Sequence, residues 1–290
     1  MRGRGLLAVA ACALIWSTGG LFIKLVPWNP LAIAGARSLI GAIVLLIYLR
    51  RPRFTWSAAQ IIAAVAYAAT MITFVASNKL TTAANAILLQ YTAPLYAAFL
   101  GALILKERTH WFDWLTIGIV VGGMVLFFMD KLSLGGMWGN LLAIISGIVF
   151  AISIVFLRKQ KQGSPLESML MSHLITFTVT IPFIVKSVLD SAAGGPTPAL
   201  LTGFGALLAL GVFQVGLSCI LLSYGVRHVT AVQSLLTAII EPIFNPIWVF
   251  IFIGETPGPL ALVGGAIILI TVTARSLLTV LAERRIALTR

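Results

Sequence analysis

The sequence is short of charge, and of acid above all. Only 10% of its 290 residues are charged, and eight of those are acidic. A soluble globular chain carries about 25% charged residues, so this one has too few to cover the surface of a soluble core. Cysteine is scarce too. Cys12 and Cys219 both sit in apolar stretches; two thiols build neither a disulfide framework nor a metal site, and they read as small packing residues. The chain has no glycine-rich phosphate loop, which excludes ATP drive by this chain, and no His/Cys/carboxylate cluster to call for a metal or cofactor. No second carboxylate joins Glu241 to make an acid–base pair, which counts against an intramembrane enzyme.

What the sequence does have is apolar length. Hydrophobic residues make up 60% of the chain, and the mean hydropathy is +1.05. Residues 54–78, 80–105, 132–157 and 191–226 carry no formal charge. A bilayer-spanning helix needs ~20 mostly apolar residues, so each run holds at least one span. The net charge of +12 does not signal a nucleic-acid partner, because the basic residues fall in short clusters between apolar runs and act as topology signals. Arg2 and Arg4 before an apolar start mimic a signal peptide, but the run continues to Ile23 and further spans follow. It is read as a retained first helix.

A ~19-residue hydropathy window predicts an all-α integral membrane protein with ten spans, near residues 5–24, 31–49, 57–78, 83–105, 112–129, 137–157, 167–187, 200–224, 230–253 and 258–281. Most connections are short; residues 190–198 read as a longer surface loop. Fourteen Lys/Arg residues, among them Arg50, Arg51, Arg53, Arg158 and Arg284, fall on the side of the termini, against Lys24, Lys79, Lys131 and Lys186 opposite. That imbalance predicts cytoplasmic termini. Trp28, Trp56, Trp111, Trp114 and Trp138 lie near predicted interfaces and read as belt anchors.

The chain also matches itself. Shifted by 148 residues, 79–107 lies on 227–255 without a gap, so that Pro94 meets Pro242 and Glu107 meets Glu255. Each half, 1–131 and 132–290, then holds five predicted spans. An odd number forces the second half to run opposite to the first, giving two inverted five-helix repeats. Inverted repeats are an architecture of secondary transporters, with the site near the bilayer midplane. A channel would favour an oligomer with a ring of identical polar residues, whereas an inverted repeat encloses its path in one chain, so a monomer is expected.

Polar groups in hydrocarbon usually face a cavity or each other. Glu241 sits mid-span. It reads either as a counter-charge or proton-coupling carboxylate, or as a hydrogen-bonded group stabilising the Pro242 kink. Arg37 reads as snorkelling or paired. At 100° per residue Gln233, Thr237, Glu241, Asn245 and Trp248 share a face of the ninth span; Thr81, Asn85, Thr92 and Tyr96 share one on the fourth, with Gln90 off it. Tyr67, Met71, Phe74 and Asn78 line one side of the third span, and Gly211, Gln214 and Ser218 mark the eighth. Trp16 in the first span and Phe150 in the sixth complete the candidate cavity. Pro94 and Pro242 are candidate hinges. His173, near Thr176 and Thr180, is either a proton relay or a hydrogen-bonded structural histidine.

Leu14-Ile15-Trp16-Ser17-Thr18 with Lys24, Pro30-Leu31 with Arg37, Ala93-Pro94 leading to Lys106-Glu107-Arg108, and Glu241-Pro242 leading to Gly254-Glu255 together resemble the drug/metabolite transporter superfamily of EamA type, over nearly the full length. The resemblance implies a bacterial inner-membrane exporter of small metabolites with ten helices. Its central cavity would be built from helices 1, 3, 4, 6, 8 and 9. Within the superfamily the chain looks most like the aromatic amino acid exporters of the YddG type. Amino acids, aromatic ones first, are the expected cargo, moved by alternating access; a cationic drug with Glu241 as counter-charge is the alternative.

Overall fold

In the computed structural model the described residues are 2–81, 83–107, 111–129, 136–163, 165–193, 198–253 and 258–288, and every regular element among them is helical. Glu255, Lys131 and Arg108 lie outside this set, as does the side chain of Asn245. In chain order the elements are α1 (Arg2–Trp16), α2 (Gly19–Leu25), α3 (Pro30–Leu49), α4 (Ala58–Leu80), α5 (Ala83–Gln90), α6 (Ala93–Leu100), α7 (Trp111–Phe128), α8 (Met137–Lys159), α9 (Pro165–Ala193), α10 (Pro198–Ala209), α11 (Ser218–His228), α12 (Ala231–Ala238), α13 (Ile240–Ile253) and α14 (Pro259–Leu288). A π-helical turn, Gly101–Leu105, closes α6, and a longer one, Leu210–Leu217, joins α10 to α11.

Among the described residues seven helical stretches are long and apolar enough to cross a membrane, and Trp111–Leu126, Ala231–Phe244 and Leu262–Arg275 are shorter apolar helices. Several start where local chemistry dictates. Asn29 accepts a hydrogen bond from Leu31 N at 2.9 Å, with Pro30 as the first helical residue of α3. Ser57 accepts from Gln60 N at the start of α4. Thr230 and Gln233 form a capping box on α12. Each cap satisfies backbone donors that have no intrahelical partner.

The principal packing runs α4 along α8, α3 along α9, α7 along α14 and α1 along α11. Small residues allow the closest approaches: a Cβ on Gly225 in α11 would lie 2.3 Å from Val9 Cγ2 of α1. The outer surface is apolar, with Leu7, Ile47, Leu103 and Phe252 exposed, as lipid contact requires.

Four of the expected continuous spans are interrupted. The first is broken between α1 and α2 at Ser17–Thr18, the fourth between α5 and α6 at Tyr91–Thr92, the ninth between α12 and α13 at Ile239, and the eighth carries the π segment. Side-chain hydroxyls repair two of these breaks. Ser17 and Thr18 donate to Leu14 O and Ile15 O at 2.6 and 2.7 Å, and Thr92 donates to Leu89 O at 2.6 Å. Irregular backbone at membrane depth needs such partners. Two further expectations are corrected. Residues 190–193 belong to α9, not to a loop. Trp28 is not an exposed anchor: it is buried against Phe204 and donates to Ser191 Oγ at 3.1 Å, while Trp56, Trp111 and Trp138 are exposed.

Candidate functional site

The interruptions lie around a partly open cavity, with about 460 Å3 of space when its open mouth is counted. Its walls come from the end of α1 (Trp16), from α3 (Arg37), α4 (Tyr67, Thr70, Met71, Phe74), α5 (Gln90), α8 (Phe150) and α9 (His173), from the π segment (Gln214, Val215), and from the start of α13 (Glu241). Chain breaks put polar groups here because a helix that stops in mid-membrane exposes side chains and backbone that a continuous helix would keep to itself.

Trp16 and Phe150 meet edge to face, with ring centroids 6.0 Å apart. The Trp16 indole donates to Gln214 O at 3.1 Å and to Ser218 Oγ at 2.9 Å. Gln214 is the hub of this wall. Its backbone oxygen also accepts from Ser218 Oγ, and its side-chain Oε1 accepts from Arg37 NH1 at 2.8 Å. The remaining contact of the guanidinium is NH2 to Met71 Sδ at 3.6 Å, and Arg37 Nε has no partner. On the other side, Gln90 Nε2 donates to Ser146 Oγ at 2.8 Å.

Glu241 meets a residue that the sequence reading passed over. The Tyr91 hydroxyl, buried between α5 and α6, lies 2.5 Å from Glu241 Oε2 and 3.0 Å from Ala238 O. Ala238 O is the carbonyl that Pro242, having no N–H, cannot engage. The available signal was that freed carbonyl: in a membrane it needs a donor, and a tyrosine at another mid-span break is a candidate. At the matching break, a Cβ on Gly147 of α8 would lie 2.8 Å from Gln90 O, the carbonyl freed by Pro94.

His173 has no exposed surface. Its Nδ1 lies 3.3 Å from Ser38 Oγ and its Nε2 3.3 Å from Cys219 Sγ, with Tyr67 edge-on at 5.8 Å. Thr176 and Thr180 instead donate to backbone carbonyls of their own helix.

Of the sequence candidates, Trp16, Tyr67, Phe74, Gln90, Phe150, Gln214 and Glu241 line the cavity, with the fully buried His173 just behind its surface. The others lie elsewhere. Asn85 joins Thr81 on Asn140 Oδ1, at 3.0 and 2.7 Å, between α5 and α8. Asn78 donates back to Phe74 O. Trp248 donates to Ser17 Oγ at 2.7 Å across the first break. Ser218 and Thr237 are buried among helices, and Tyr96 packs on the core. Helical faces were legible in the sequence, but a face that meets a neighbouring helix looks the same as one that meets a cavity. Thr70 and Arg37 were not singled out as lining residues, yet both line the wall.

Broken helices around a partly open cavity with aromatic walls and one side chain of each charge define a polytopic membrane transporter. The EamA-like transporter family model matches residues 3–129 and again 137–276, and the chain belongs to that family. It is 27% identical over 266 residues to an uncharacterized transporter of Archaeoglobus fulgidus, covering 90% of this chain and 92% of the relative. It is 25% identical over 197 residues to the pseudopaline exporter CntI of Pseudomonas aeruginosa, covering 67% of this chain and 66% of that one. A crystal structure at 17% identity superposes with a TM-score of 0.78 over 96% of this chain and 99% of the other, which establishes likeness of fold.

Proposed function

We propose that this transporter is a secondary exporter of small metabolites, with aromatic and other hydrophobic amino acids as its cargo. It works by alternating access in the cytoplasmic membrane of a bacterium, as ten spans in two inverted five-helix halves, 1–131 and 132–290, with both termini cytoplasmic. The observation that carries this reading is the make-up of the cavity wall: Trp16, Tyr67, Phe74 and Phe150 offer aromatic surface to an apolar side chain, while Glu241 and Arg37 offer a group of each sign. Support for the halves comes from the family model's two matched stretches, which divide near residue 131, and from paired Pro-marked breaks before Pro94 and Pro242. Since the cavity lies within one chain, a monomer suffices. The Pseudomonas relative, an exporter of pseudopaline by its name, agrees with outward transport of a small molecule.

The second reading, a cationic cargo with Glu241 as counter-charge, is favoured by that carboxylate and opposed by Arg37 in the same wall. The test is uptake of labelled phenylalanine and tryptophan into proteoliposomes, with and without a pH gradient, against a panel of organic cations. Saturable aromatic flux is expected. Cation flux without it would favour the second reading, and silence for both from folded protein would remove the cargo assignment. Glu241→Gln separates coupling from binding: loss of gradient-driven flux with exchange retained assigns proton coupling to the carboxyl, and equal loss of both assigns it to cargo binding or folding.

A further inference from the structure

Arg37 carries a charge that no described carboxylate pairs with directly, although Glu241 stands in the same cavity wall. Its side chain is 1% exposed, halfway along α3. A guanidinium in so dry a place is costly unless it is paired. Among the described residues no carboxylate oxygen lies within 4.0 Å of it, whereas Arg158 and Arg275 pair with Glu107 and Asp113. Its hydrogen bonds are uneven as well. NH1 is spent on Gln214 Oε1 at 2.8 Å, NH2 meets only a thioether at 3.6 Å, and Nε meets nothing. Thioether sulfur is a weak acceptor, so one edge of the fork, Nε with NH2, has no strong partner; Arg37 lines the cavity, and Nε is closed off from solvent there, so cargo reaches it only as the wall opens.

That edge is the one with the geometry for a carboxylate. Arg275 shows it in use, with Nε at 2.9 Å and NH2 at 2.5 Å from Asp113 Oδ1. We infer that Arg37 is the carboxylate-binding residue of the transport cavity: Nε and NH2 grip the carboxylate of the cargo, and Gln214 holds the guanidinium from its far edge. Gln214 is a positioning residue, fixed in turn where Trp16 and Ser218 bind its backbone oxygen. The inference rests on the cavity being the transport site, and it narrows the cargo to molecules that carry a carboxylate. An aromatic amine lacking one leaves Arg37 buried and unpaired, and is rejected for that reason.

The test is thermal stabilisation of the purified full chain by four probes of similar bulk: phenylalanine, 3-phenylpropionate, phenylalaninamide and phenethylamine, with succinate and benzoate as further carboxylates. The two phenyl carboxylates are expected to bind roughly tenfold or more tightly than the amide and the amine, the size of a charge-assisted pair. Arg37→Gln is expected to erase that preference, and Arg37→Lys to restore part of it. Comparing probes on the unmodified protein needs no variant, so the inference stays open to refutation even if both variants misfold. It is overturned if the amide or amine binds as well as phenylalanine, if Arg37→Gln keeps the preference in folded protein, or if no carboxylate of the panel binds. Binding of 3-phenylpropionate or succinate without phenylalanine flux would uphold Arg37 and remove the amino acid cargo. Phenylalanine flux untouched by Arg37→Gln would do the reverse.

Discussion

Arg158 and Arg37 are both arginines held among helices, and they are treated in opposite ways. Arg158, at the end of α8, donates from Nε to Glu107 Oε1 at 2.9 Å and from NH1 to Val226 O and Arg227 O at 3.0 and 2.7 Å. Glu107 accepts in turn from Ala231 N at 3.3 Å. One ion pair thus ties the chain after α6 to the ends of α8 and α11 and the start of α12. It lies at helix termini, where the acceptors are carbonyls that a helix leaves unused. Arg37 lies in mid-helix, with one amide partner and a bare Nε. The lesson is that burial alone does not reveal what a charge is for; the count of its satisfied donors does.

The contrast can be broken by substitution. Arg158→Ala is expected to do the most damage, because it strands the Glu107 carboxylate and two carbonyls; the cost is about 2–4 kcal/mol, allowing for partial exposure, read as a lower melting temperature in detergent. A Glu107→Ala, Arg158→Ala double variant should be little worse than either single one, since both remove the same tie. Gly147→Ala comes next at about 1–3 kcal/mol, because its Cβ would press on Gln90 O at 2.8 Å. Tyr91→Phe should cost about 1–2 kcal/mol by leaving Ala238 O unpaired. Arg37→Gln should be mildest, within about 1 kcal/mol, since it removes a buried charge that has no direct ion pair together with its single amide bond. A loss there as large as that of Arg158→Ala would mean that Arg37 holds the fold, and the contrast would collapse.

Hydropathy made the apolar stretches legible, because lipid imposes a length that composition must meet. It was blind to the breaks. Ser17 and Thr18 mend the first one with their own hydroxyls, so no proline or charge marks the place. The π segment at 210–217 is apolar apart from Gln214, and nothing in it marks the change of helix type. Pro94 and Pro242 did mark breaks, each lying just after one. For the site, periodicity gave faces and not neighbours. Asn85 reads as a cavity residue because nothing in its surroundings in sequence announces Asn140, 55 positions away. Arg37 reads as snorkelling or paired because depth is visible in a sequence, whereas an idle Nε shows only in the folded chain.

The Tyr91 hydroxyl has one hydrogen and two neighbours that both accept, Ala238 O at 3.0 Å and Glu241 Oε2 at 2.5 Å. A carbonyl can only accept. When Glu241 is ionised, both neighbours compete for that single hydrogen, and one is left short. When Glu241 carries a proton, it donates to the phenol oxygen, the phenol donates to the carbonyl, and the chain of bonds closes from carboxyl to backbone. Occupancy of a carboxyl by hydrogen and completeness of a fractured helix are therefore one ledger, kept by a single phenol borrowed from the other half of the chain.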